Sequence, residues 1–403
     1  MDDVGATCNQ LRTDWEPAEE NFPDGLGSPE WLFELMRLQR ECPVAYSDGF
    51  GGFYTLTRYA DVCQAALNHQ VFRSGQQFLR MPALLTIPGK LNPPEHAVYR
   101  RMMNKYFSKE RVDALGPLIR RCAAEHLTAM IERGHGDAAR EFAQPFAAQV
   151  LAAALNLGED AYRELLEHFV EIDGAGWDPD TLNNQMVAVF SRHIARLVAQ
   201  RRANPLDPDA DLISGAMAMR IDGEPLPDDS VIAVGVSVIG AGHSTTADAL
   251  SSAMFRLATD PQLQARLRRE PALIPSAVEE FLRLDSPLPE MTRRTGSPVE
   301  LSGRSVPADV LVALNYGAAN LDPDEFSSPE ACIVDRTPNR HLSFGHGVHK
   351  CVGASLARLE LQTALAELLT RTRSFRLSAS PQPAPGMVLR GFAGLPLSFL
   401  PAR

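Results

Sequence analysis

Cys351 stands inside Phe344-Gly345-His346-Gly347-Val348-His349-Lys350-Cys351-Val352-Gly353, a glycine-rich turn directly before a helical run from Ala354 to Leu369. A thiol ligates metal only when deprotonated, and the unpaired N–H groups and positive dipole end of a helix N-terminus lower its pKa. The stretch is therefore an environment for a metal-bound thiolate. Gly345, Gly347 and Gly353 free the backbone for close approach of a flat ligand. His349, two residues before the cysteine, can donate to an anionic edge.

Three further groupings carry chemistry. In Asn92-Pro93-Pro94-Glu95-His96-Ala97-Val98-Tyr99-Arg100, a proline-led helix start places His96 and Arg100 at i and i+4, where both can point at one anion. Gly240-Ala241-Gly242-His243-Ser244-Thr245-Thr246 sits mid-way along a helical pattern from Asp229 or Ser230 to Thr259. Its small residues admit a planar ligand, and its hydroxyls can bond back to carbonyls four residues earlier, which bends helices. Glu280 and Arg283 lie at i and i+3 on one helical face and can pair.

The elements that must position these residues are mostly helical. Apolar periodicity predicts helices near 29–41, 59–68, 94–105, 115–133, 138–155, 159–173, 179–203, 229–259, 261–268, 272–284 and 353–371. The central one is about thirty residues, roughly 45 Å, and can cross a whole domain. Strand patterns are few: Phe53 to Leu56, Val299 to Leu301 and Val310 to Leu314 flanking a turn at Gly303, and a terminal hairpin, Leu389 to Leu400, around Ala393-Gly394. The expected class is mainly α with a small β portion.

With 403 residues and 45% hydrophobic content the chain can bury a large core. No proline or glycine run is long enough for an interdomain linker, so one domain, 1–403, is expected, with 1–25 an irregular acidic lead-in. A net charge of −11 disfavours nucleic acid and anionic membranes as partners. The strongest apolar run, Val231 to Gly242, falls short of a membrane span, and the N-terminus has no signal-peptide pattern. A soluble, cytoplasmic protein is expected. Cysteines 8, 42, 63, 122, 332 and 351 show no C-x-x-C pair, which argues against zinc ribbons and disulfide scaffolds and makes the five besides Cys351 small hydrophobes.

The cysteine stretch, F-G-x-G-x-H-x-C-x-G, resembles the haem-binding loop of the cytochrome P450 family at every fixed position, and matches to the family run from about residue 92 to 358. The resemblance implies a P450-type fold with a long central helix over haem b and Cys351 as the iron ligand, within a loop that includes Phe344, Gly345 and Gly353. It places His96, Arg100, Arg293 and His349 on the haem propionates, with Arg294 the poorer choice beside Arg293. The helix carrying His96 resembles the family's D-P-P-E-H-x-x-x-R, with Asn92 replacing Asp. Ala241 and Gly242 fall over the haem, and Thr245 in the oxygen-activation groove. Glu280 and Arg283 match the family's E-x-x-R pair, with Arg336 as their third, structural partner.

One departure bears on mechanism. The position before Thr245, usually Asp or Glu in the family, holds Ser244. A serine hydroxyl passes a proton but supplies no titrating charge. Delivery would then run through waters and Ser244, or through His243 or Asp248, or the enzyme would use peroxide. His243, about 100° round the helix, is expected to face away from the groove.

The activity implied is a haem-thiolate monooxygenase that inserts one atom of O2 into a small or medium apolar organic substrate, by hydroxylation or O-dealkylation. The alternatives are a peroxide-dependent peroxygenase or oxidative coupling enzyme, and a non-catalytic haem-thiolate sensor. No nucleotide-binding fingerprint or reductase-sized extension is present, so electrons are expected from a ferredoxin-type donor with its reductase, serving a monomer. A basic concentration at Arg100, Arg101, Lys105, Lys109 and Arg111, with Lys350, is the expected docking patch. By analogy the substrate pocket draws on Val238, Phe78, Leu84, Leu85, Phe169, Trp177, Leu288, Met291 and Phe392.

Overall fold

The computed structural model describes residues 29–79, 86–158, 162–167, 169, 179–384 and 389–402. Leu84, Leu85 and Trp177 lie outside them, as does most of the helix expected over 159–173. The main helices are α1 (Glu95–Tyr106), α2 (Gly116–Arg133), α3 (Gln144–Ala154), α4 (Pro179–Ala203), α5 (Asp228–Gly242), α6 (Ser244–Thr259), α7 (Ile274–Leu284) and α8 (Ala354–Arg371). Local chemistry sets their ends. Helix α2 has proline in its first turn and stops at Gly134, whose φ of 80° only glycine adopts cheaply.

The central helix is not continuous. It breaks between α5 and α6 at His243, with φ −88° and ψ −74°. Thr245 Oγ1 donates to the Ala241 carbonyl at 2.8 Å and Thr246 Oγ1 to that of Gly242 at 3.1 Å, while the Thr246 N–H turns to the His243 carbonyl. Hydroxyls thus take carbonyls the helix ladder would use, and the helix bends there. The combined run Asp228–Thr259 is long and apolar enough to cross a membrane, against the expectation that no segment reaches that length, and 56% of its most apolar window is buried inside the molecule. It is the core element: α6 packs on α3, α7 and α8 within one apolar cluster, and α5 on α4 within another.

The strands are β1 (Val44–Ser47), β2 (Phe53–Leu56), β3 (Phe72–Arg73), β4 (His135–Asp137), β5 (Glu290–Thr295), β6 (Leu311–Asn315), β7 (Thr372–Leu377), β8 (Phe392–Gly394) and β9 (Pro396–Pro401). The main sheet runs β1-β2-β6-β5-β3 and the second β7-β9-β4. Only β2 and β6 pair in parallel. Two sequence expectations fail on pairing. The Gly303 turn joins Val299–Leu301 to Arg304–Val306, through positive φ at Ser302 and Gly303, and 310–314 pairs elsewhere as β6. The terminal segment is no hairpin either: β8 pairs with Gln382–Pro383 and β9 with β7 and β4, because Leu395 between them bonds to Asp137 and Ala138. Cys63, Cys122, Cys332 and Cys351 are free thiols.

Candidate active site

Cys351 precedes α8 in a loop bent by two glycines of positive φ, Gly345 at 67° and Gly347 at 70°. The Gly345 N–H closes on the Leu342 carbonyl at 2.7 Å and the Cys351 N–H on that of Phe344 at 2.8 Å. A Cβ at Gly347 would stand 2.3 Å from the Ala66 carbonyl oxygen, so that glycine answers to a neighbouring backbone rather than to a flat ligand. Gly353 has an ordinary φ of −83° and caps α8. Cys351 is solvent-accessible. Burial pushes the thiol up; the Gly353 backbone N–H and the cations Arg100, Arg358 and Lys350 pull it down. Arg358 stacks 4.4 Å over the Phe344 ring and pairs with Glu279.

Four basic side chains, His96, Arg100, Arg293 and His349, gather near this loop. The His96 and His349 rings lie 4.4 Å apart. Burial, then nearby Arg100, His69 and Arg293, lowers the His96 pKa to about 4; burial, then Arg293, His96, Arg100 and His69, lowers that of His349 to about 3. Arg293 is only 3% exposed and donates to the Thr292 carbonyl at 2.7 Å, with no carboxylate against it among the described residues. Arg294 points outward and pairs with Asp309. His96 is 2% exposed, and its Nε2 has no hydrogen-bond partner. A buried orphan donor and a buried guanidinium without a carboxylate form a site that lacks its anion. Haem b, with two propionates on one edge and an iron that takes a thiolate, fits this donor set.

Sequence reasoning missed His69 and Ser74 here. Ser74 Oγ lies 3.1 Å from His349 Nε2. A serine before a glycine reads as an ordinary turn, so no signal marked it.

On the central helix Ala241 is exposed although the residues around it are core, and Thr245 lies one turn further on. Gly242 faces the other way: a Cβ there would stand 2.8 Å from Leu151 of α3, so its smallness serves helix packing rather than a planar ligand. His243 is turned into the core, stacked 3.7 Å on Phe169, and burial lowers its pKa to about 4. Its Nε2 lies 3.0 Å from the Gln144 carbonyl, which only accepts, so Nε2 carries the proton. Nδ1 then accepts, and the Ser244 hydroxyl, 3.3 Å away, donates to it. Asp248, one turn after Ser244, is buried beside Gly391.

Glu280 accepts from Arg283 Nε and Nη2 at 2.8 Å each, from Arg336 Nε at 3.0 and 3.1 Å, from the Ile333 N–H at 2.9 Å and from Asn339 Nδ2 at 3.1 Å. Arg283 also binds the carbonyls of Asn320, Pro329 and Ala331, tying α7 to the segment before the cysteine loop.

The residues expected around substrate divide. Val238 and Phe169 are buried, and Phe169 is taken up against His243 and Phe190. Phe78, Leu288 and Met291 are half-buried, and Phe392 packs on Phe255 at 4.8 Å. In the basic concentration Lys105 pairs with Asp209, Lys109 with Asp113, Arg111 donates to the Asp209 carbonyl and Arg100 to Asn104. Arg101 and Lys350 are exposed.

An α-rich fold with an accessible cysteine at a helix start and a cluster of buried basic side chains beside it fits an enzyme that holds a cofactor with an acidic edge. The family profile of cytochrome P450 matches residues 177–399. Cytochrome P450 107B1 of Saccharopolyspora erythraea is 32% identical over 379 residues, covering 89% of this chain and 92% of that one. The crystal structure of CYP108D1 from Novosphingobium aromaticivorans matches with a TM-score of 0.83 at 28% identity, covering 93% of this chain and 95% of that one. A mutant of P450 EryK in complex with erythromycin B matches at 0.82 and 28%, covering 91% and 95%. This chain belongs to the cytochrome P450 family, and it is an oxidoreductase of the monooxygenase class. The family binds haem b through a cysteine thiolate.

Proposed function

We propose that this enzyme inserts one atom of O2 into a small or medium apolar organic substrate, by hydroxylation or O-dealkylation, with Cys351 as the iron ligand. The observation that carries the reading is the accessible Cys351 at the start of α8, next to a buried guanidinium, Arg293, with no carboxylate against it and a buried His96 whose Nε2 has no hydrogen-bond partner among the described residues. Haem b held there supplies the oxygen chemistry, which thiolate ligation favours over reversible oxygen binding. His96, Arg100 and Arg293 would hold its carboxylates directly and His349 through the Ser74 hydroxyl it bonds, and the network of Glu280, Arg283 and Arg336 fixes the loop that presents the sulfur.

On the central helix, the small, exposed Ala241 would leave space for a flat cofactor and Thr245 would handle protons. Its hydroxyl proton rests on the Ala241 carbonyl and its oxygen is free to accept from a water; turning that proton away from the carbonyl lets it pass a proton on. Val238, Leu288, Met291, Phe78 and Phe392 bring apolar surface and no charge to the substrate side. Electrons come from a separate ferredoxin-type protein with its reductase, docking where Arg101 and Lys350 remain exposed, and the enzyme works as a cytoplasmic monomer of one domain. The ferrous carbon-monoxide complex tests the core of this reading: a strongly red-shifted Soret band is expected, and its absence in folded, haem-loaded protein would sink the assignment.

The tie between Ser244 and His243 favours a second reading, a peroxide-dependent peroxygenase. With the acid missing and the Ser244 proton committed to His243, delivery from solvent has lost its usual first member. Turnover with hydrogen peroxide, and none with ferredoxin, reductase and NAD(P)H, would select it.

A further inference from the structure

The basic residues of the site come from α1, β5 and the cysteine loop, and Ser74 lies beside all three segments. Ser74 directly follows β3 and is 8% exposed. Arg73 stands opposite Arg294 in antiparallel register, which brings Ser74 next to Arg293. Its Oγ lies 3.1 Å from His349 Nε2. Asn92 clamps its backbone: Oδ1 accepts from the Ser74 N–H at 2.8 Å and Nδ2 donates to the Ser74 carbonyl at 2.9 Å. The Asn92 carbonyl in turn accepts from the His96 N–H at 3.0 Å, at the start of α1.

We propose that Ser74 is a further anchoring residue for a haem propionate, set in place by the Asn92 side-chain amide. A serine hydroxyl offers one proton and two lone pairs, and His349 is its one partner among the described residues. With His349 Nε2–H donating to Oγ, the hydroxyl proton is left for a carboxylate oxygen, so serine and histidine act as one hydrogen-bonding unit. In this chain the Asn92 amide satisfies both backbone groups of Ser74 and so sets its side chain in place. A carboxylate at that position could accept from the Ser74 N–H but would leave the carbonyl without a donor. It would also set a negative charge among groups that hold anions. This gives a role to Asn92, where the family pattern has Asp.

The inference rests on the haem reading above, and the carbon-monoxide band of the wild-type protein tests that reading separately. The experiment compares haem-loaded wild type with Ser74→Ala, Ser74→Thr, Asn92→Asp and Asn92→Leu. Two quantities are measured: the rate of haem transfer to excess apo-globin, and the resonance-Raman propionate bending mode, which reports hydrogen bonding to the carboxylates. Ser74→Ala and both Asn92 variants are expected to lose haem roughly ten- to a hundredfold faster, the worth of one hydrogen bond to a charged group, with a shifted mode. Ser74→Thr keeps the hydroxyl and should stay near wild type. A normal carbon-monoxide band with an unshifted mode in Ser74→Ala overturns the role of Ser74, even if stability falls. Asn92→Asp matching wild type in both quantities overturns the role of the amide.

Discussion

Replacing Glu280 by Gln changes one atom and tests the lock behind the cysteine loop. Glu280 and Arg283 have fully buried side chains, and that of Arg336 is 6% exposed. The glutamine amide nitrogen would meet donors wherever the carboxylate oxygen it replaces accepted, and two guanidinium groups would lose their counter-charge. Breaking a buried pair by removing one partner costs about 3–5 kcal/mol. Unfolding entropy of about 2.1 cal/mol/K per residue, taken over 403 residues, turns about 4 kcal/mol into a fall in Tm of roughly 5 °C. Calorimetry of the haem-loaded proteins at neutral pH measures it. The pH dependence has a definite sign. Burial alone would raise the Glu280 pKa, but Arg283, the Ile333 N–H and Arg336 hold it below the ordinary carboxylate range. A depressed carboxyl stabilises the fold above its unfolded pKa, about 4.3, and that contribution is lost as the pH falls through the folded value. The two Tm curves should therefore converge as the pH falls below about 4. A fall of less than about 1 °C at neutral pH would refute the reasoning that the network holds the loop.

Other outcomes follow from the same geometry. Thr245→Ala removes the hydroxyl on the Ala241 carbonyl and should divert most reducing equivalents to hydrogen peroxide; unchanged coupling of product to electrons would take Thr245 out of proton handling. Ser244→Asp restores an acid one residue before Thr245 and should raise ferredoxin-driven turnover by roughly tenfold, whereas no change would mean the missing acid is not limiting. His243 is buried with a pKa near 4 against about 6.5 unfolded, so it costs stability progressively as the pH falls from about 6.5 to 4, by about 3 kcal/mol in all. His243→Gln should flatten the stability curve across that window, read by urea unfolding, and a curve as steep as wild type would contradict the burial argument. Charge reversal at Arg101 and Lys350 should slow reduction by an acidic ferredoxin and weaken its salt dependence; salt-independent reduction of the wild type would remove the docking patch.

The sequence alone went furthest where chemistry is local. The glycines around Cys351, the proline ahead of His96 and the i, i+3 spacing of Glu280 and Arg283 act within a turn or two of chain, so their residue types are enough to read them. The helices are legible for the same reason, since a 3.6-residue period is written in consecutive residues. Pairing of short strands is not, and both misjudged strand pairings involve partners chosen by packing far along the chain, as when Leu395 finds Asp137 and Ala138.

What the sequence offered by itself is a candidate ligand set: a cysteine at a helix start, basic residues able to meet an anionic edge, and a serine, Ser244, where the family usually has an acid. The tertiary structure decided what each group has left to offer. Gly242 is spent on Leu151 and Gly347 on the Ala66 backbone, the Ser244 proton is committed to His243, and Ser74 stands among cations drawn from three segments. A hydrogen bond or a close contact between residues distant in the chain is a property of coordinates. Only the folded chain shows which donors and surfaces remain free for the cofactor.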